Sequence, residues 1–133
     1  MLKEIAITLQ LSCLSEAMYF EARGEGIQGM KYVGAVVHNR VIDNRWSDDY
    51  CSVIEEPYQF TYMNGKGSAG NISMPAKKKR ELAYQLADEI MDSEEPLYGN
   101  ILYFHKVGSR PNWNFSLLET SILYKNHVFY TDK

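Results

Sequence analysis

The chain has 133 residues, 45% hydrophobic and 23% charged, with a formal net charge of -3. That length supports one hydrophobic core and one domain, residues 1–133, with no need of a metal or disulfide staple. The small negative charge offers no general attraction to nucleic acid, so a DNA- or RNA-binding protein is disfavoured. Aromatic content is the departure from average, with ten Tyr, five Phe and two Trp. Many stand beside Gly, Asn or Pro, where they can present faces to sugar rings or to a partner.

Apolar residues at 2, 5, 6, 9, 13, 17 and 20 recur at helical spacing and predict an amphipathic helix over about residues 3–22, ending at Gly24. Glu4, Gln10, Ser12, Ser15 and Glu16 interrupt this stretch. It therefore fits neither a secretory signal peptide nor a membrane span. The expectation is a protein made in the cytoplasm, with no export signal and no stable membrane insertion. Cys13 and Cys51 lie 38 apart with no CxxC and no nearby His at zinc spacing. A structural metal is improbable, and the expectation is two buried free thiols, with a disulfide as the alternative.

The stretch "GMKYVGAVVHNRVID" predicts a second helix, with Met30, Val33, Gly34, Val37 and Val41 as its stripe, lying against the first. Residues 43 to 75 read as loop-rich, with one short helical turn and a glycine loop around Gly65, Gly67 and Gly70. Pro75 opens a third helix, "PAKKKRELAYQLADEIMD", striped by Leu82, Leu86 and Ile90. Its run Lys77, Lys78, Lys79 and Arg80 reads as a solvated face. Two β-like runs, "ILYFHKV" and "HVFYTDK", follow on either side of "GSRPNWNFSLLETSILYKN".

Several chemistries are absent by inspection: the chain has no phosphate-binding Gly-rich loop, no GxSxG and no HExxH. His38, His105 and His127 are scattered, and each reads as a core or surface residue. The carboxylates of "MYFEARGEG" remain. Glu21 falls in the last turn of the first helix, the unfavourable end for a negative charge, so helix stability is a poor reason for its presence. Partial burial there would favour the neutral carboxyl that a general acid must present. The alternative from spacing alone is a pair of surface glutamates, Glu21 and Glu25, at an ordinary helix end.

The stretch "EAMYFEARGEGIQGMKYVGAVVHNRV" resembles the opening motif of the cell-wall hydrolase family typified by the spore-cortex-lytic enzymes. In that family an alanine-rich helix runs into E-A-R-G-E, and a second helix ends in N-R-V. "VIEEPYQFT", "ILYFHK", a following Trp and the terminal "KNHVFY" resemble later family segments in the same order. The resemblance implies a mostly helical α+β, lysozyme-like fold with a few short strands, cleaving peptidoglycan glycan strands without metal or cofactor. It also implies that Glu21 is the catalytic acid, that Glu25 supports the turn and the rim of the cleft, and that Gln59, Phe60, Thr61, Tyr103 and Trp113 contact substrate. The reaction leans to a lytic transglycosylase with one glutamate. The alternatives are a hydrolytic muramidase using a second carboxylate from Asp48, Asp49, Glu55 and Glu56, and a non-catalytic peptidoglycan-binding module. The expected partner is the glycan strand and the expected state a monomer, acting at the cell wall as a phage endolysin or a spore-associated enzyme.

Overall fold

The computed structural model describes residues 2–22, 24–56 and 74–133. Three long helices form one layer of the molecule and a three-stranded antiparallel sheet the other.

Helix α1 spans Leu2–Ala22 and buries Leu11, Leu14, Ala17, Met18 and Ala22. Of the expected stripe, among the described residues, only Ala17 is buried; Cys13 and Phe20 are half-buried, and Ala6 and Leu9 are exposed, so the core face is turned from the expected one. Helix α2, Gly26–Ile42, packs on α1 and carries an unbroken buried run from Val33 to Arg40. A helix buried on every side must be wrapped by other elements, and α2 touches every other long helix and the first strand. Its closest approach is at Gly34, where a Cβ would stand 2.7 Å from Ile90 Cδ1 and 2.8 Å from Met18 Sδ. Gly34→Ala should therefore overpack this crossing and lower stability by about 1–3 kcal/mol. An unchanged urea midpoint would mean that the crossing has slack.

Helix α3, Tyr50–Glu55, is the short helix expected within the loop-rich stretch. Asp49 caps it, accepting from Ser52 N and Ser52 Oγ at 2.8 Å each. Gln10 of α1 receives the Tyr50 and Cys51 backbone N–H groups at 2.5 and 3.2 Å. This docking places the Cys13 and Cys51 Cα atoms 5.2 Å apart, and the two residues form a disulfide. The free-thiol expectation is thus corrected. The pairing depends on α3 lying across α1, which a separation of 38 residues does not disclose. Reduction is expected to remove about 2–4 kcal/mol of stability, read as a Tm lower by roughly 5–15 °C. A Tm indifferent to reductant would show that the bridge carries no weight.

Helix α4, Met74–Met91, buries Ala83, Leu86, Ala87 and Ile90 against α1 and α2. Lys77, Lys78 and Lys79 are exposed. Arg80 instead lies over the Tyr19 and Phe20 rings, with Glu16 3.7 Å away.

The sheet has the order β1-β3-β2, from β1 Tyr103–Lys106, β2 Leu118–Tyr124 and β3 His127–Asp132. Strands β1 and β3 match the two predicted runs. Strand β2 was not anticipated, because its outward positions are apolar as well as polar: Leu123 is 70% exposed, and the register slips between Thr120 and Ile122, so clean alternation is lost. On the inner face, Phe104 stacks on the fully buried Phe129, which packs on Tyr32 of α2. On the outer face, Tyr103 stands opposite Tyr130 and His105 opposite Val128.

Candidate functional site

The corner between α1 and α2 holds both motif glutamates. Glu21 closes α1 at 7% exposure, and Glu25 stands just ahead of α2 at 4%. The chain turns between them, with Glu25 N bonded to Ala22 O at 2.9 Å and Gly26 at φ +78. A positive φ at this point suits glycine, which is what the sequence provides.

The Glu25 carboxylate reaches the far end of the chain: Oε2 accepts Asn126 N–H at 2.6 Å, and Oε1 forms a short hydrogen bond with His127 Nδ1. The Glu25 carbonyl accepts from Tyr124 Oη at 3.3 Å and Lys125 Nζ at 3.2 Å. A Cβ at Gly29 would lie 2.7 Å from Glu25 Cβ, so this carboxylate is folded over a residue that must stay small. Glu25 thereby ties the β2–β3 turn to the start of α2. His127, 2% exposed, packs its ring on Phe104 and Phe129. Its Nε2 has no hydrogen-bond partner among the described residues.

A second set of buried polar groups seats the sheet. His38 Nε2 lies 3.2 Å from Glu95 O and Nδ1 lies 2.7 Å from Tyr50 Oη. A carbonyl only accepts, so Nε2 carries the proton and Nδ1 receives that of Tyr50. Burial lowers the His38 pKa, opposed by the bond to Glu95, and pushes the Tyr50 hydroxyl up to about 12. The Asn39 amide donates to Leu97 O and Ile101 O at 3.0 and 2.8 Å and accepts Leu97 N–H at 2.8 Å. Arg40 Nε donates to Leu102 O at 2.7 Å, its guanidinium between the Trp46 and Tyr103 rings at 5.0 and 5.6 Å. Burial lowers the Arg40 pKa to about 10 against the opposing pull of Glu56. The structural importance of His38, Asn39 and Arg40 was missed in the sequence, although three consecutive polar residues continuing an apolar stripe were the available signal.

Tyr103 and Trp113 come together with ring centroids 5.8 Å apart. The Tyr103 hydroxyl donates to Asp132 Oδ1 at 3.2 Å, and burial and that carboxylate raise its pKa. Gln59, Phe60 and Thr61 lie outside the described residues. Of the four carboxylates considered for water activation, Asp49 is occupied as the α3 cap, and the bond from Ser52 N–H holds its pKa below the usual carboxylate range. Glu56 contributes its charge to Arg40, while Asp48 and Glu55 are exposed.

Residues 24–130 match a family described as Cell Wall Hydrolase. Glu21 lies just ahead of that span. A spore cortex-lytic enzyme of Halalkalibacterium halodurans is 29% identical over 119 residues, covering 90% of this chain and 34% of that protein. One from Bacillus subtilis is 33% identical over 101 residues, covering 75% and 30%. The chain thus spans about a third of the length of these curated relatives. Two solved structures share the fold at 24% identity. The catalytic domain of the Bacillus cereus SleB protein has a TM-score of 0.67, covering 92% of this chain and 89% of that one. That of the germination-specific lytic transglycosylase SleB from Bacillus anthracis has a TM-score of 0.70, covering 92% and 93%. Since the matched span runs from the α1–α2 corner through β1 and β2 and into β3, as far as Tyr130, the chain belongs to the Cell Wall Hydrolase family.

Proposed function

We propose that this protein cleaves peptidoglycan glycan strands between N-acetylmuramic acid and N-acetylglucosamine, as a lytic transglycosylase in which Glu21 is the one catalytic carboxylate. The observation that carries this reading is the placement of the two motif glutamates: Glu21, the first Glu of the motif, is buried in the last turn of α1, while Glu25 beside it fastens the chain through Asn126 and His127. The name of the Bacillus anthracis relative, a lytic transglycosylase, agrees with it.

Glu21 protonates the glycosidic oxygen, the bond from the muramic C1 breaks, and an oxocarbenium-like state develops. The muramic C6 hydroxyl then attacks C1, and the Glu21 carboxylate, now a base, takes the hydroxyl proton. A 1,6-anhydro end results and no water is consumed. Hydrolysis instead needs a carboxylate that activates water from the other side of the ring. Asp49 is poorly suited, being committed to Ser52.

Tyr103 and Trp113 contribute aromatic walls for sugar rings, and Gln59, Phe60 and Thr61 are further substrate contacts. The enzyme acts as a monomer at the wall, brought there by phage lysis or by deposition on the spore. The Cys13–Cys51 bridge fits work outside a reducing cytosol. Mass spectrometry of fragments released from purified peptidoglycan tests the reaction. Ends in 1,6-anhydromuramic acid are expected. Reducing ends would require a water-activating partner, and cleaved peptide stems or no product would reject the assignment.

A further inference from the structure

The outer face of the sheet carries a recess whose lining includes neither Glu21 nor Glu25. His105 of β1 stacks on Tyr130 of β3 with centroids 5.4 Å apart and planes at 24°. Phe115 meets both rings steeply, at 85° and 62°, and Trp113 stands at 89° to Tyr130. The loop after β1 turns at Gly108, φ +92, and returns as Ser109 and Arg110. His105, Gly108, Ser109, Arg110, Phe115 and Tyr130 line this open recess, with a volume of about 540 Å³. This is within the size range of small-ligand sites.

Its polar groups are set in advance. Ser109 N and Oγ both donate to Lys106 O, at 3.0 and 2.9 Å. His105 Nδ1 lies 2.8 Å from the same carbonyl and Nε2 lies 2.8 Å from Tyr130 Oη. The carbonyl must accept, so Nδ1 holds a proton, and in the neutral ring Nε2 takes the Tyr130 proton. The remaining strong donor is Arg110, which is exposed and has no ion pair or hydrogen bond among the described residues. A guanidinium at the mouth of an aromatic recess matches a carboxylate that ends a short apolar group, because its fork takes both carboxylate oxygens. Phe115, at 85° to His105 and 62° to Tyr130, also makes a recess rather than the flat platform on which a sugar face would stack.

We propose that this cavity binds the carboxylate end of a peptidoglycan peptide stem, Arg110 pairing with the terminal carboxylate while Phe115 and Tyr130 receive the adjoining alanine methyl. The proposal rests on the reading of peptidoglycan as substrate and adds that stems are recognised as well as glycan.

The test is an NMR titration of the whole protein with diacetyl-Lys-D-Ala-D-Ala and with its C-terminal amide, for the wild type and Arg110→Gln. Shifts should centre on Ser109, Arg110, Phe115 and Tyr130, with the acid binding about tenfold or more tighter than the amide. Arg110→Gln should abolish that preference while leaving Tm within a few degrees. Equal binding of acid and amide, shifts located elsewhere, or a preference that survives in the variant would overturn the proposal. Wild-type cleavage of intact, stem-bearing peptidoglycan strands is measured beside it. Cleavage without carboxylate-dependent binding defeats this inference alone, whereas carboxylate-dependent binding without cleavage defeats the glycan-cleavage reading alone.

Discussion

Glu21→Gln is expected to fold as the wild type does and to lose about 10²- to 10⁴-fold in glycan cleavage, the usual contribution of a positioned acid or base. The substitution keeps the shape of the side chain at a site only 7% exposed, so the core around Met18 and Ala22 has no reason to move. The lost capacity is chemical. Neither step proposed above can use an amide, since the first needs a proton given to the leaving oxygen and the second a proton taken from the C6 hydroxyl. Fragment release by the purified variant, with Tm as the folding control, decides the matter. A variant within a few-fold of wild type would remove Glu21 from the mechanism, whatever the products.

The second large effect concerns stability. Glu25→Ala should cost roughly 3–5 kcal/mol, because it strips buried partners from both Asn126 N–H and His127. The Tm should fall by ~10 °C or more. Glu25→Gln should cost much less: its amide oxygen can still accept from Asn126, and the imidazole can adopt the tautomer that accepts the amide N–H. Chemical denaturation of the two variants gives the comparison, and amide exchange at Asn126 reports whether the hairpin loosens locally. If Glu25→Ala unfolds within about 1 kcal/mol of wild type, the Glu25–His127 contact is not what fastens the hairpin.

The helices were legible because each carries recurrent apolar residues with a clear stop, although the buried face of α1 is set by Leu11, Leu14 and Met18 and not by the expected stripe. Gly24 ends the stripe of α1, and Pro75 lies in the first turn of α4. Strand β2 was illegible because Leu118, Ile122 and Leu123 do not alternate inward and outward once the register slips. The two glutamates were only half legible. A spacing of four places them on one face of a continuous helix, but the helix ends at Ala22 and Glu25 belongs to the turn before α2. Its partner lies 102 residues further on, beyond the reach of any local pattern. The disulfide was hidden for the same reason, its halves meeting only after α3 has docked on α1. The candidate acid itself was located by motif resemblance, while Gln59, Phe60 and Thr61 fall outside the described residues.

The polar residues that end α2 also constrain where the chain can be cut. Asn39 and Arg40 find their partners 58 to 62 residues later, at Leu97, Ile101 and Leu102. A fragment stopping after α4 would retain every long helix and most of the apolar core. It would also strip the buried Asn39 amide and Arg40 Nε, in the last turn of α2, of the carbonyls of Leu97, Ile101 and Leu102, a loss that further apolar packing does not repair. The helical layer is therefore not a smaller protein to which a sheet was added. The last third of the chain is a condition for the polar end of α2 to be buried at all.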